Sequence, residues 1–459
     1  MKPCIIMIVA LLTATCASTA FAAAKPGESF DFELSPVAPP TPVLKYHFLF
    51  RYAERRQGNA VIPILTATNL VGVELTKKTD DAEEAFEQNR SDFQSLAKKA
   101  ESPAIMALLD LAGRSEQCDW DCPVREQGAS VMLPYLNTDR ALANLVRIHA
   151  LQQMQDGRID DSLASLRLGY ELGRNVARGP TLVGGLVGVG IIALMNDALK
   201  QDMNRPESPN LYWALATLPH PMIASNLQAE EGAFLTGSIP ELAGKNPQDL
   251  SADQWHRIYK HAAEIVDGFG LKSANAWDNE QTVADEVAHT LPEAQDDYAK
   301  RYGLPADQVE QLDPFKVVCT FWYQQFLNAA DDQTAPTLLP FPIMRATMQI
   351  NDKKMLAVKQ SAPANPFLDW IPYSTKAALT YVKIDRMISA LTDVEALRSY
   401  AAAHNGSLPA QLSDITDTPV LDNPYTCKPF EYQLQNGTAT LADSAMTEYP
   451  LKYTIRIRP

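Results

Sequence analysis

Leu391–Ala403 (LTDVEALRSYAAA), followed by His404-Asn405-Gly406-Ser407-Leu408-Pro409 and then by Asp422-Asn423-Pro424 and Lys428-Pro429-Phe430-Glu431-Tyr432, is the stretch that decides the fold. A helix stops at a glycine, and the proline three residues on forbids its continuation. A turn then feeds a short aromatic strand. Working backwards, Tyr381, Ile384, Ile388, Leu391, Val394, Leu397 and Ala401 recur at helical spacing, so a long helix of about 373–403 presents one apolar face. Working forwards, Phe430, Tyr432 and Leu434, then Tyr453, Ile455 and Ile457, alternate at strand period. Residues 361–459 therefore read as a long helix carrying a short antiparallel sheet.

Upstream the pattern is helical. Between Thr138 and Ala177 two apolar-periodic segments meet at Asp156-Gly157, and Asp160-Asp161 place negative charge on the first turn of the second, where the helix dipole favours it. With Ala150, Gly157 and Ala164, this hairpin has the look of one tetratricopeptide-like unit. No second copy follows at a period of about 34, so a solenoid is not supported. Gly179–Met195 holds no charge, and Gly184, Gly185, Gly188 and Gly190 lie inside it. At 17 residues it sits at the low limit for spanning a bilayer, and a buried central helix is the preferred reading. Prolines 206, 209, 219 and 221 mark a junction. Ser251-Ala252-Asp253-Gln254 then forms a capping box before helices at about 252–268, 279–302 and 306–330.

The N-terminus carries a compartment signal. Lys2 precedes an uncharged run from Cys4 to Ala17, and Ala20-Phe21-Ala22 offers a small-x-small cleavage site, as in a secretory signal peptide. Cleavage after Ala22 removes Lys2 and takes the formal charge of this 459-residue chain from −15 to −16. Such an acidic surface disfavours nucleic acid and anionic lipid as partners. Residues 23–42, with Pro26, Pro36, Pro39, Pro40 and Pro42, read as an extended leader with no core of its own. The resulting organisation is a signal peptide at 1–22, the leader at 23–42, helical regions at 43–206 and 207–360, and the C-terminal module at 361–459.

Catalytic signatures are absent: there is no GxSxG elbow, HExxH, P-loop or EF-hand loop. Glu286-Val287-Ala288-His289 puts a carboxylate and an imidazole on one helical face, but di-iron bundles need two such motifs and two more glutamates. Asp119 and Asp121 flank Trp120, which reads as an aromatic anchor beside a turn with the aspartates capping the next element; a carboxylate–aromatic platform for a cation or sugar is the alternative. Cys118 and Cys122 are close enough in sequence for a local disulfide, which an oxidising compartment permits, and Cys319 and Cys427 complete the mature set. No cofactor, metal or catalytic residue is assigned.

The succession Lys45-Tyr46, Gly58-Asn59-Ala60, Cys118-Asp119-Trp120, Leu133-Pro134, Asn210-Leu211-Tyr212-Trp213-Ala214-Leu215, Leu291-Pro292-Glu293-Ala294 and Leu339-Pro340-Phe341-Pro342 resembles a family of uncharacterised exported helical proteins. These are numerous in planctomycete-type bacteria. The resemblance covers nearly the whole mature chain and implies no activity, substrate or cofactor. The chain departs from that pattern at Cys122, Cys319 and Cys427. Its C-terminal module is also similar to the globular end of type II secretion pseudopilins, matching at Tyr400, Asn405, Gly406, Pro409 and Pro424. The pilin leader helix is missing.

The expectation is a mainly α protein: a helical-hairpin body with a small C-terminal α+β module, exported to the periplasm or cell envelope and not stably inserted in a membrane after cleavage. Its expected function is that of a non-catalytic scaffold or binding protein for a protein or polymer of the envelope. The competing expectation is a metal-assisted hydrolase using Asp119, Asp121, Glu286 and His289.

Overall fold

The computed structural model describes residues 27–128, 131, 133, 135–224, 237–242, 244–268, 279–371 and 374–459, so the expected signal peptide lies outside the described residues. In chain order the elements are β1 (Glu28–Leu34), β2 (Arg56–Asn59), α1 (Val61–Leu70), α2 (Val73–Glu87), α3 (Phe93–Ala100), α4 (Pro103–Arg114), β3 (Ser115–Gln117), α5 (Val124–Gln127), α6 (Tyr135–Gln155), α7 (Ile159–Ala177), α8 (Leu182–Met203) and α9 (Tyr212–Ala216). Then follow α10 (Ala252–Gly268), α11 (Glu280–Tyr302), α12 (Ala306–Val309), α13 (Pro314–Thr334), α14 (Phe341–Ser361), α15 (Ser374–Ala403), β4 (Glu431–Gln435), β5 (Thr438–Asp443) and β6 (Leu451–Ile457). The protein is mainly α with a small C-terminal sheet, as the sequence pattern requires.

The chain divides into two compact units. The larger comprises Ala24–Asp121, Leu133–Ser225 and Leu379–Pro459, so the hairpin region and the C-terminal module share one unit. Its sheet has the order β1-β6-β5-β4. Strands β4, β5 and β6 form the expected antiparallel meander, but β1 adds to β6 in parallel, from Glu28 opposite Leu451 to Leu34 opposite Ile457. This corrects the reading of residues 23–42 as a leader without a core. Phe32 and Leu34 are fully buried, and Phe32 meets Tyr453 edge-on at 5.4 Å. Glu28, Phe30, Phe32 and Leu34 share one face at strand period, a signal masked by the prolines on either side.

Helix α15 departs from the one-sided stripe. From Ile384 to Ser399 every residue is buried, charged ones included. Long-range partners make this tolerable, because a buried charge must be paired and hydrogen-bonded. Arg386 pairs with Asp443 at 2.7 Å and donates to the Tyr449 carbonyl, while Asp385 accepts the Met222 N–H at 2.7 Å. Asp393 accepts the Leu421 N–H, and Arg398 pairs with Glu395 and donates to the carbonyls of Ser35, Ser208 and Pro209. Through these bonds the helix clasps the segments after β1 and before α9.

The hairpin forms as expected, with Gly157 at φ 76° between α6 and α7. Helix α8 is, among the described residues, the one helix long and apolar enough to cross a membrane, yet 67% of its apolar window is buried in the protein. Its glycines let it close on α7, since a Cβ on Gly188 would collide with the Gly173 carbonyl and with Ala177.

The smaller unit comprises Cys122–Met132 and Asn226–Ala378. Its core gathers Trp255, Ile258, Val317, Val318, Cys319, Trp322 and Phe367 from α10, α13 and the segment after α14. The capping box forms: Gln254 N–H reaches Ser251 Oγ at 3.2 Å, and Ser251 N–H reaches Gln254 Oε1 at 2.9 Å. The helix expected from 306 is split, because Asp313-Pro314 starts α13 afresh with the Asp313 carboxylate capping the Lys316 N–H.

Candidate functional site

The Asp119-Trp120-Asp121 platform resolves into an anchor. Trp120 is 8% exposed, stacks on Tyr135 of α6 at 4.4 Å, and donates its indole N–H to the Asn175 carbonyl near the end of α7 at 2.8 Å. Its ring is consumed by the fold and offers no face to a ligand. Asp119 Oδ1 accepts the Asp121 N–H, and Asn59 bonds both backbone groups of Asp119, so these exposed aspartates shape a turn. The expected Cys118–Cys122 bridge does not form, and no disulfide joins the described cysteines. Cys118 instead donates to the Asn175 carbonyl at 3.3 Å, and burial pushes its thiol up to about 11.

A different set of side chains converges a short distance along α7. Arg167, Glu171, Arg174 and Arg178 follow one another at i, i+4, i+7 and i+11, which places them on one helical face. The loop before β2 delivers His47, Phe50, Arg51, Glu54 and Arg55 to that face, and the end of α4 delivers Asp110 and Arg114. Gly113 makes the approach possible: a Cβ there would stand 2.7 Å from the Phe50 ring.

Glu171 is the hub. It accepts the Phe50 N–H at 2.7 Å and a forked pair of bonds from Arg55 at 2.6 and 3.2 Å. Arg55 also donates to the carbonyls of Gly113 and Phe50. The guanidiniums of Arg114 and Arg167 lie 4.3 and 4.1 Å from the Phe50 ring centroid, where the ring quadrupole attracts them. Arg114 forks onto Asp110, Arg167 contacts His47 and Glu54, and the more exposed Arg51 pairs with Glu54.

The electrostatics follow from burial and crowding. Burial pushes Glu171 up and Arg167 and Arg174 down, and holds His47 below its ordinary imidazole value. Burial also raises Glu54, but the Arg51 N–H and the neighbouring His47 and arginines outweigh it, so Glu54 ends below its ordinary value. Six arginines, 51, 55, 114, 167, 174 and 178, face three carboxylates, Glu54, Asp110 and Glu171. Glu171 attracts Arg174 electrostatically, but neither Arg174 nor exposed Arg178 makes a direct hydrogen bond or ion pair through its guanidinium among the described residues. On a chain of formal charge −15, this is a concentrated positive face. Its donors are planar, always charged and suited to oxyanions.

The residues of the hydrolase expectation are divided between the two units. Asp119 and Asp121 belong to the larger unit; Glu286, half-buried, and exposed His289 lie on α11 of the smaller one. Among the described residues no three of His, Cys, Asp and Glu gather where they could hold a metal ion. One buried acid stands apart. Asp139, one turn beyond Tyr135 on α6, is fully buried with neither carboxyl oxygen hydrogen-bonded, and burial raises it to about 8.

Sequence reasoning missed the arginine face because its parts are spread over some 130 residues of a strongly acidic chain. The signal was present in two places: Arg51-Tyr52-Ala53-Glu54-Arg55-Arg56, and the spacing of Arg167, Arg174 and Arg178. Comparison with known proteins finds no matching family model, no matching curated protein and no matching solved structure.

Proposed function

We propose that this chain is a non-catalytic binding protein of the cell envelope, exported by its N-terminal segment, which holds an anionic partner on the arginine face of α7. The observation that carries the reading is the pair Arg174 and Arg178, which make no direct ion pair among the described residues, although Glu171 attracts Arg174 from nearby, beside a network that fixes their neighbours. Arginines already committed to Glu171, Asp110 and Glu54 serve the fold. Uncommitted ones on the same face supply donors to something else. A rigid arrangement lowers the ordering cost of binding, because Arg55, Arg114 and Arg167 are held by forks and by the Phe50 ring before any partner arrives.

Titration with dextran sulfate tests this. The wild-type protein binds, with affinity falling as salt rises, and the exposed-site variant Arg51→Glu/Arg178→Glu loses that binding while its circular dichroism is unchanged. Undiminished binding by the variant would place the anion elsewhere and overturn the proposal.

A further inference from the structure

Resting on that reading, we infer that the anionic partner is an acidic polysaccharide, whose sugar rings lie against Tyr52 while its carboxylates meet the arginines on either side. Tyr52 is 89% exposed, an extreme value for a large aromatic side chain in a structured turn. It opens the short 3-10 turn Tyr52–Glu54, and that turn is held in place: Arg51 N–H bonds Glu54 Oε2 at 2.8 Å, and Arg55 is locked to Glu171. The backbone that carries the ring is therefore held, and the ring itself is almost fully exposed. Burial on folding does not explain it, whereas burial on binding would.

The flanking charges define the ligand. Arg51 and Arg56 are both exposed and lie one residue before and four residues after Tyr52 in sequence, so the ring is flanked by positive charge along the chain. An aromatic face attracts the weakly positive C–H edges of a pyranose ring. A uronic acid supplies that C–H face and a planar carboxylate matched to the arginine fork in one residue. A second group of arginines on α7 suits a repeating polymer, in which each further residue brings another carboxylate at little added entropic cost. An acidic peptide satisfies the arginines but leaves the tyrosine unused.

The full-length mature protein is titrated with polygalacturonate and, separately, with poly-L-glutamate of similar chain length, using wild type, Tyr52→Ala and Tyr52→Phe. Wild type is expected to prefer polygalacturonate. Tyr52→Ala should weaken that binding about tenfold, a loss suited to one stacked ring, while Tyr52→Phe retains it. Poly-L-glutamate should bind more weakly and be indifferent to Tyr52. Equal affinity for both polymers, or a Tyr52→Ala variant that still binds polygalacturonate fully, would overturn the polysaccharide inference and leave a charge-only anion site. If wild type bound neither polymer, the anion-binding reading itself would fail.

Discussion

Replacing Asp139 by asparagine should make the protein more stable at alkaline pH and leave it nearly unchanged at acidic pH. The carboxyl is fully buried, neither oxygen has a hydrogen-bond donor, and burial alone raises it from 3.8 to about 8. In the folded protein it is therefore a neutral acid at pH 7, whereas in the unfolded chain it is ionised. The unfolded state binds fewer protons than the native state between pH 4 and 8, so stability falls as pH rises through that window. Each pH unit costs about 1.4 kcal/mol. Asparagine is neutral at every pH and nearly isosteric, so it removes the slope without opening a cavity. Between pH 5 and pH 8 the advantage of Asp139→Asn over wild type should grow by about 4 kcal/mol. Urea denaturation at both pH values measures this directly. Other raised acids, such as Asp202 and Asp385, are present in both proteins and cancel in the difference. A difference independent of pH would mean that Asp139 is ionised in the folded state beside a partner, and the reasoning would be refuted.

Other consequences can be measured on the same material. Trp120→Ala should cost about 3–5 kcal/mol in unfolding free energy, while Asp119→Ala costs about 1 kcal/mol or less, because the indole is a packed anchor and the carboxylate only shapes a turn. Arg398→Met strips donors from the carbonyls of Ser35, Ser208 and Pro209 and leaves Glu395 buried without its counter-charge, a change worth about 3–5 kcal/mol. Adding Glu395→Gln to that variant should recover part of the loss; no recovery would show that the carbonyl contacts dominate. Under iodoacetamide at pH 7, exposed Cys427 should be alkylated well before Cys118, whose thiol at about 11 is ionised in roughly one molecule in ten thousand. Mass spectrometry of timed samples distinguishes the two.

Local chemistry was legible wherever it was decided locally. Gly406, at φ 81°, donates its N–H to the Ala401 carbonyl at 2.8 Å and ends α15 at the position its sequence marks. Gly157 breaks the hairpin, and Ser251 with Gln254 caps α10 for the same reason. What could not be read depended on pairing across the chain. Strand β1 finds its partner more than four hundred residues away, and its alternation is only four residues deep on the buried face. The buried charges of α15 look like a solvated face until Asp443, Met222, Leu421 and Ser208 are known to meet them. The arginine face fails the same test, since a search for basic stripes sees no cluster where three separate segments supply one. At Asp119-Trp120-Asp121 the sequence favours an aromatic anchor beside a turn, and Trp120 is packed on Tyr135, but composition alone cannot say which side of an aromatic ring is already occupied.

Mapping arginine protection tests the central claim most directly. Mature wild-type protein is treated with phenylglyoxal with and without saturating dextran sulfate, and the modified arginines are identified by peptide mass spectrometry. The account predicts strong protection of Arg51, Arg174 and Arg178, with arginines of the smaller unit, such as Arg257 and Arg345, modified equally in both samples. Equal modification of Arg51, Arg174 and Arg178 in the two samples, with protection confined to other positions, would contradict it.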